Sequence, residues 1–401
     1  MPLLKGMTMT RPTLTLNPGT DRRIRLGYPW VFSNEIRALA ENKTLEPGTL
    51  CQLQTEKGEL LGMGTYNRHA LIAFRLLDTN PEAVIDVDWF EAKLARAMET
   101  REVVYPGGYY RWIHSEADGI PGLIADLYGD AVSLQINTAG IEALRAPLLE
   151  AMDRLVELKT IILRGDTPQR VHEGLSDTVE TLRGDGEAIT LEENGLRFVT
   201  TLTSGQKTGW FYDQRDARAL LAGLIERFES PTVFDGYCYA GGFSVAMAAM
   251  GARVTGVDRS APALELAEQS AGLNDVSIEW IKADVFNVLE RAGINKETYD
   301  LVNLDPPAFA KAKKTLGQGL RGYRKMTRMG AEITAPGGFL VIHSCSHHVT
   351  LDALIEQVAR GLTDAKRTGQ ILFKLSAAAD HPAMPQLPES QYLKGLVMRL
   401  N

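Results

Sequence analysis

The chain has little cysteine and no excess of positive charge. Its three thiols in 401 residues, Cys51, Cys238 and Cys345, are odd in number and far apart. That pattern argues against a disulfide framework and for a reducing cytoplasm, and it offers no CxxC pair for zinc. No apolar run approaches the roughly 20 residues that span a bilayer, so no membrane partner is expected. The opening Met1-Pro2-Leu3-Leu4-Lys5 lacks the basic-then-apolar plan of a signal peptide. A formal net charge of −7 does not advertise a nucleic-acid binder, and any such role must rest on local charge.

What is present is an ordinary globular composition, 44% hydrophobic and 23% charged, at a length that suggests two or three domains. Residues 12–78 read as short strands, Thr13–Leu16, Trp30–Phe32, Thr49–Gln54, Leu60–Tyr66 and Leu71–Leu77, broken by Asn17-Pro18-Gly19, Glu46-Pro47-Gly48 and Lys57-Gly58. Such spacing predicts a small β-barrel or sandwich. An amphipathic helix follows over 88–104, with Trp89, Phe90, Leu94, Ala97 and Met98 on one stripe. From about 111 to 196 strands and helices mix. From about 231 they alternate regularly, which predicts a parallel sheet with helices on both faces. The last two strands, Ile371–Lys374 and Gly395–Leu400, are joined through Pro382, Pro385 and Pro388 and should pair antiparallel at or near the sheet edge.

In such a sheet, ligands bind beyond the carboxyl ends of the strands. The first strand of the alternating region runs into Asp235-Gly236-Tyr237-Cys238-Tyr239-Ala240-Gly241-Gly242-Phe243. The glycines allow a tight turn and close backbone approach, but at 236, 241 and 242 they miss the G-x-G-x-x-G spacing that crowds a pyrophosphate against a helix start. The next strand ends in Asp258, an acid suited to two ribose hydroxyls, and the third in Asp284, placed to accept from an adenine amino group. Glycines in such a turn are ordinary alone. With Asp258, Asp284 and Asp305 on successive strand ends they point to S-adenosylmethionine, an adenosyl cofactor without phosphate.

Two further strand ends carry chemistry: Leu304-Asp305-Pro306-Pro307-Ala308-Phe309 and Val341-Ile342-His343-Ser344-Cys345-Ser346. Carbon 5 of a pyrimidine is a poor nucleophile, and a thiolate adding to carbon 6 activates it. Cys345 is the candidate nucleophile, although a strand-end thiol can equally be a small buried hydrophobe. Cys238 and Cys51 are read as packing. Asp305 would hold the base and offset charge as the thiolate adds. Pro306-Pro307 stiffens the turn, and Phe309 can stack on a flipped base. The histidines at 343, 347 and 348 lack acidic or cysteine partners, and no metal is expected. Residues 311–328 hold seven Lys/Arg, Lys311, Lys313, Lys314 and Arg321 among them, and no acid. Such a run can be a plain solvated face, but its place directly after Phe309 favours contact with RNA phosphates.

Lys207-Thr208-Gly209-Trp210-Phe211-Tyr212-Asp213-Gln214-Arg215, Tyr239-Ala240-Gly241-Gly242-Phe243, Asp305-Pro306-Pro307-Ala308-Phe309, Ser344-Cys345-Ser346 and the tail His381-Pro382 to Tyr392-Leu393-Lys394-Gly395 together resemble the bacterial ribosomal RNA large subunit methyltransferase I family. The resemblance implies 5-methylcytosine formation in 23S rRNA in the cytoplasm, with S-adenosylmethionine as cofactor, and allows for a homodimer. It implies an amino-terminal PUA domain over 1–80, a central α/β domain over 81–195 that includes Glu116-Ala117-Asp118-Gly119-Ile120-Pro121-Gly122, and a class I (Rossmann-like) methyltransferase domain over 196–401. Gln206, Arg215, Tyr239, Asp258, Asp284 and Asp305 would line the cofactor site, Arg215 at the methionine carboxylate, and Cys345 would be the nucleophile. Where other RNA 5-methylcytosine enzymes carry a second cysteine, this chain has Pro306-Pro307-Ala308, so the base that takes the carbon-5 proton is unassigned.

Two rival readings stand beside this one. Asp-Pro-Pro followed by an aromatic also serves enzymes that methylate exocyclic base nitrogens, where no thiol is needed. The other rival is an RNA-binding or ribosome assembly factor that keeps the fold without turnover.

Overall fold

The computed structural model describes residues 11–401, save 206, 207, 227 and 311. The chain divides into two compact units, one running to Gly186 and including Pro382–Ser390, the other comprising Glu187–His381 and Gln391–Asn401.

In the first unit five strands lie in the spatial order Thr13–Thr15, Thr49–Gln54, Leu60–Tyr66, Ile72–Asp78, Trp30–Phe32. A bridge between Leu16 and Ile36 brings the two edges of this sheet together, and Arg37 N donates to Thr15 O at 2.8 Å. The strip therefore closes into the expected small barrel around Leu14, Leu53 and Phe74. A second five-stranded sheet runs Val179–Arg183, Thr160–Arg164, Ala131–Ile136, Leu123–Tyr128, Tyr109–His114. The helix Val87–Val104 buries Phe90, Leu94 and Ala97, spaced to face one side, in a core with Trp112. Arg101 continues that stripe and is tolerated because Asp118 receives both its Nη groups at 2.7 Å. Asp118, central to the Glu116–Gly122 motif, is thus engaged in tying this helix to the sheet.

The second unit opens with a hairpin, Ile189–Glu193 and Leu196–Thr200. Helices and strands then alternate: α1 (Arg215–Ile225), β1 (Thr232–Gly236), α2 (Gly242–Ala248), β2 (Arg253–Asp258), α3 (Ala261–Leu273), β3 (Glu279–Lys282) and α4 (Val285–Asn295). After them come β4 (Tyr299–Leu304), α5 (Leu316–Ile333), β5 (Thr334–Ser344), α6 (Leu351–Asp364), β6 (Gly369–Ser376) and β7 (Lys394–Leu400). The sheet order is β3-β2-β1-β4-β5-β7-β6. Strands β1 to β5 are parallel, and β7 runs antiparallel to both β5 and β6, which places β6 at the edge as expected. The central strands are continuous apolar runs because helices cover both faces.

The sequence pattern after the fourth strand predicts a helix over 322–333, and α5 begins six residues earlier, at Leu316. Gly317, Gly319 and Gly322 weaken the helical pattern in sequence. Packing demands two of them: a Cβ on Gly319 would lie 2.9 Å from Ala310 Cβ, and one on Gly322 2.9 Å from Phe309 Cδ2. The turn after β4 therefore rests directly on the first turns of α5. The chain leaves β1 toward β2 on one side and returns to β4 on the other, so a crevice opens at the carboxyl ends of β1 and β4. Among the described residues no helix is long and apolar enough to cross a membrane.

Candidate active site

At this switch point lies a cavity of about 530 Å³, within the range of small-molecule cofactor pockets. Its floor is the turn after β1. Tyr237 N and Cys238 N both donate to Val257 O, at 2.8 and 3.1 Å, and Gly241 N closes back on Cys238 O at 2.9 Å. Tyr237 and Tyr239 hold φ of 66° and 48°, sparsely populated for side chains of that size, and such strain concentrates at ligand sites. Gly241 has φ of 80°, and a Cβ there would meet Ala267 and Trp280 at 3.0 Å. Its glycine identity is thus required by backbone and packing; Gly241 and Ala240 do not line the cavity, whereas Tyr239 and Gly242 do.

Asp258, at the end of β2, lines the cavity. Its Oδ2 accepts from Tyr239 N at 3.0 Å and its Oδ1 from Ser260 N at 2.9 Å. Each oxygen keeps a lone pair for a ligand hydroxyl. Asp284, also on the wall, is the N-cap of α4, accepting from Phe286 N at 2.9 Å, with Arg259 Nη1 3.6 Å from its other oxygen.

A chain of polar groups runs from the buried sheet to Asp305. Ser244 Oγ donates to Asp235 Oδ2 at 2.5 Å, and Asn303 Nδ2 donates to Asp235 Oδ1 at 2.9 Å. Asn303 Oδ1 lies 2.9 Å from His343 Nε2, which assigns the imidazole proton to Nε2. Nδ1 then accepts from Gln214 Nε2 at 3.3 Å, and the same amide nitrogen donates to Asp305 Oδ2 at 3.0 Å. Burial pushes Asp235 up to about 6, against the hydrogen bonds from Ser244 and Asn303. Burial pulls His343 down to about 3, so the ring is neutral. Gln214 Oε1 is buried with no hydrogen-bond partner among the described residues, and the residue lines the cavity.

Cys345 follows β5, is half-buried, and shares the cavity with Asp305. Its thiol lies 3.9 Å from the carbonyl of Pro306, the residue next to that acid. Of the other two thiols, Cys238 also lines the cavity, but both are buried and held protonated. Burial pushes Cys51 up to about 12 and Cys238 well above the ordinary value. Pro306, Pro307 and Phe309 also face the cavity. Phe309 packs on Tyr323 and Phe286, with ring centroids 4.9 and 6.3 Å away.

Other residues expected at the site lie apart from it. Arg215 is buried behind the cavity, with Nε 3.5 Å from Glu193 and its guanidinium over Tyr212. Arg218, one turn along α1, faces the cavity instead. It is held by Glu193, with Nη2 at 2.7 Å from Oε2, and stacks over Trp210. Lys313, Lys314 and Arg321 are exposed and do not line the cavity. Gln206 and Lys311 lie outside the described residues. The histidines do not converge: His343 is buried, His347 packs on Tyr392, and His348 is exposed. Among the described residues no group of three His, Cys, Asp or Glu could hold a metal. Gln214, Arg218, Trp210, Phe211, Tyr237 and Phe286 line the cavity without having been singled out. The first four fall within or beside the Lys207–Arg215 motif, which was the available signal.

A family profile described as S-adenosylmethionine-dependent methyltransferase matches residues 170–399. The chain is 34% identical over 396 residues to the ribosomal RNA large subunit methyltransferase I of Shewanella denitrificans, covering 96% of this chain and 99% of that one. It belongs to that methyltransferase family. S-adenosylmethionine is accordingly its cofactor, and the switch-point cavity with its strained turn and two flanking acids fits an adenosyl ligand. The relative from Alteromonas mediterranea is likewise 34% identical, over 95% of this chain and 97% of its own length. A PUA-like domain profile matches residues 14–79, the closed barrel. Among solved structures, a methyltransferase complexed with SAH superposes with a TM-score of 0.79 at 21% identity, over 97% of this chain and 100% of that one. A methyltransferase of Streptococcus mutans gives 0.78 at 21% identity, with the same coverage. Both confirm the fold.

Proposed function

We propose that this enzyme acts in the cytoplasm on large-subunit ribosomal RNA, methylating carbon 5 of a cytosine through a covalent adduct of Cys345. The relatives' name supplies the substrate class, and the PUA-like barrel suits an RNA ligand. The observation that carries the carbon-5 reading is the shared cavity of Cys345 and Asp305, with the one half-exposed thiol seated beside the Asp-Pro-Pro turn.

Asp258, Tyr239, Gly242 and Asp284 would hold the cofactor, with Gln206, Arg215, Ala240 and Gly241 in support. S-adenosylmethionine supplies the activated methyl group. Asp305 accepts from the cytosine amino group and fixes the ring, and its own direction is set by Gln214. The Cys345 thiolate forms a bond to carbon 6, which places the double-bond electron pair on carbon 5 as the nucleophile. Carbon 5 bonds the methyl carbon while the methyl–sulfur pair stays with the departing thioether. When carbon 5 then gives up its proton, that C–H pair re-forms the ring double bond and the carbon–sulfur pair returns to Cys345. Pro306 and Phe309 shape the base pocket, while Lys311, Lys313, Lys314 and Arg321 hold phosphates.

The amino-methyltransferase alternative would hold the substrate amino group with the acid and a proline carbonyl, and it has no role for the Cys345 thiol. Digesting methylated RNA to nucleosides and separating 5-methylcytidine from N4-methylcytidine by mass spectrometry tests the proposal. Exclusive N4-methylcytidine would overturn it.

A further inference from the structure

Lys394 opens β7 directly opposite Ser344 in the antiparallel register with β5, one residue from Cys345. Its half-buried side chain reaches into the loop that follows the thiol. There Nζ donates to Ser346 O at 2.8 Å and to Val349 O at 2.5 Å. The preceding residue, Leu393, lines the same cavity as Cys345. An ammonium in this setting ordinarily has a counter-charge. Here two carbonyls accept hydrogen bonds from it, and the charge of Cys345 acts on it.

The titratable groups around the thiol come from several elements. Asp305 at the end of β4 opposes a negative charge on sulfur. Tyr323 on α5, with its hydroxyl 3.1 Å from Ser346 Oγ, has its pKa pushed up by burial above all and stays neutral. His347 and His348 belong to the loop itself and are exposed. Lys394 brings a fixed cation from β7. Burial lowers its own proton affinity, and the charge on Cys345 raises it again.

We propose that Lys394 is a positioning residue for the nucleophile: its ammonium favours the Cys345 thiolate and pins the loop 346–349 around it. The thiol proton leaves to solvent, and Lys394 keeps its three protons and supplies charge alone. The inference rests on Cys345 as the nucleophile. A neighbouring lysine lowers the pKa of a thiol in this way and so raises its thiolate fraction near neutrality.

The test is iodoacetamide alkylation of the full-length protein across pH, without RNA, with peptide mass spectrometry reporting on Cys345 alone. Lys394→Gln keeps a hydrogen-bond donor without charge, Lys394→Arg keeps the charge, and Lys394→Met removes both. The ionisation midpoint of Cys345 should rise by about one pH unit in the Gln and Met variants, slowing alkylation near neutrality roughly tenfold, and return toward wild type in the Arg variant. A midpoint unmoved in Lys394→Gln overturns the proposal. If Lys394→Met does not fold, the contrast between Gln and Arg decides alone. Because no base is methylated in this assay, its failure is distinct from failure of the carbon-5 reading, which product analysis reports.

Discussion

The amide nitrogen of Gln214 stands between two acceptors, 3.0 Å from Asp305 Oδ2 and 3.3 Å from His343 Nδ1. The direction of the Asp305 carboxylate is therefore set from behind by a chain that ends on Asp235, inside the sheet. Replacing Gln214 with Leu removes a hydrogen bond to a charged group, worth about 1.5–3 kcal/mol. The expected result is a 10- to 100-fold loss in kcat/KM, roughly the conversion of that energy, with S-adenosylmethionine affinity little changed. Steady-state kinetics alongside calorimetry would check both parts.

The same chain predicts how stability depends on pH. His343 has a folded value of about 3 against 6.5, so between those values the unfolded chain binds a proton that the folded one refuses. Stability is thus lost as pH falls from about 6.5 toward 3. Asp235, raised from 3.8 to about 6, works the other way: its contribution is full below 3.8 and is lost as pH rises through 6. His343→Gln removes the first effect and keeps the second. Urea unfolding at pH 6.5 and 4.5 should show the variant losing less stability on acidification than wild type, by an amount on the order of a few kcal/mol. Parallel losses would contradict a buried neutral imidazole.

Asp258→Ala removes the charged acceptor expected at the ribose. Titration calorimetry should show S-adenosylmethionine binding weakened by at least about 1.5 kcal/mol. Because Asp258 also receives Tyr239 N and Ser260 N, Asp258→Asn should retain part of the turn and lose less. Unchanged affinity in the Ala variant would take Asp258 out of the site.

Much of this architecture was legible because local signals agreed with the fold. The strands Trp30–Phe32, Thr49–Gln54 and Leu60–Tyr66 fall where turn residues bracket them. The parallel strands of the second unit read as apolar runs ending in Asp258 and Asp305, which topology carries to one crevice. The start of α5 was illegible, since Gly319 and Gly322 answer to Phe309 and Ala310, a contact no local pattern encodes. Arg215 and Arg218 are both arginines on one helix, and which of them faces the cavity depends on the buried Glu193 of the preceding hairpin. The motif that contains Gln214 gave no sign of its partners, because Asp305 and His343 lie on distant strands.

Lys313, Lys314 and Arg321 are exposed, and no carboxylate pairs with them among the described residues. Neutralising all three should weaken RNA binding and flatten its dependence on salt. If each holds one phosphate, the slope of log affinity against log salt should fall by about 2 in the triple variant. An identical slope would make this run an ordinary solvated face.

The most direct test of the central claim is trapping on RNA that contains 5-fluorocytidine. Fluorine cannot leave carbon 5 as a proton does, so elimination stalls after methyl transfer and the protein remains bonded to carbon 6. Wild type should form a denaturation-resistant adduct whose linked peptide contains Cys345. Cys345→Ala should form none and lose turnover while binding S-adenosylmethionine normally. Methylation by Cys345→Ala at a rate comparable to wild type would contradict the account and leave the amino-methyltransferase reading in its place.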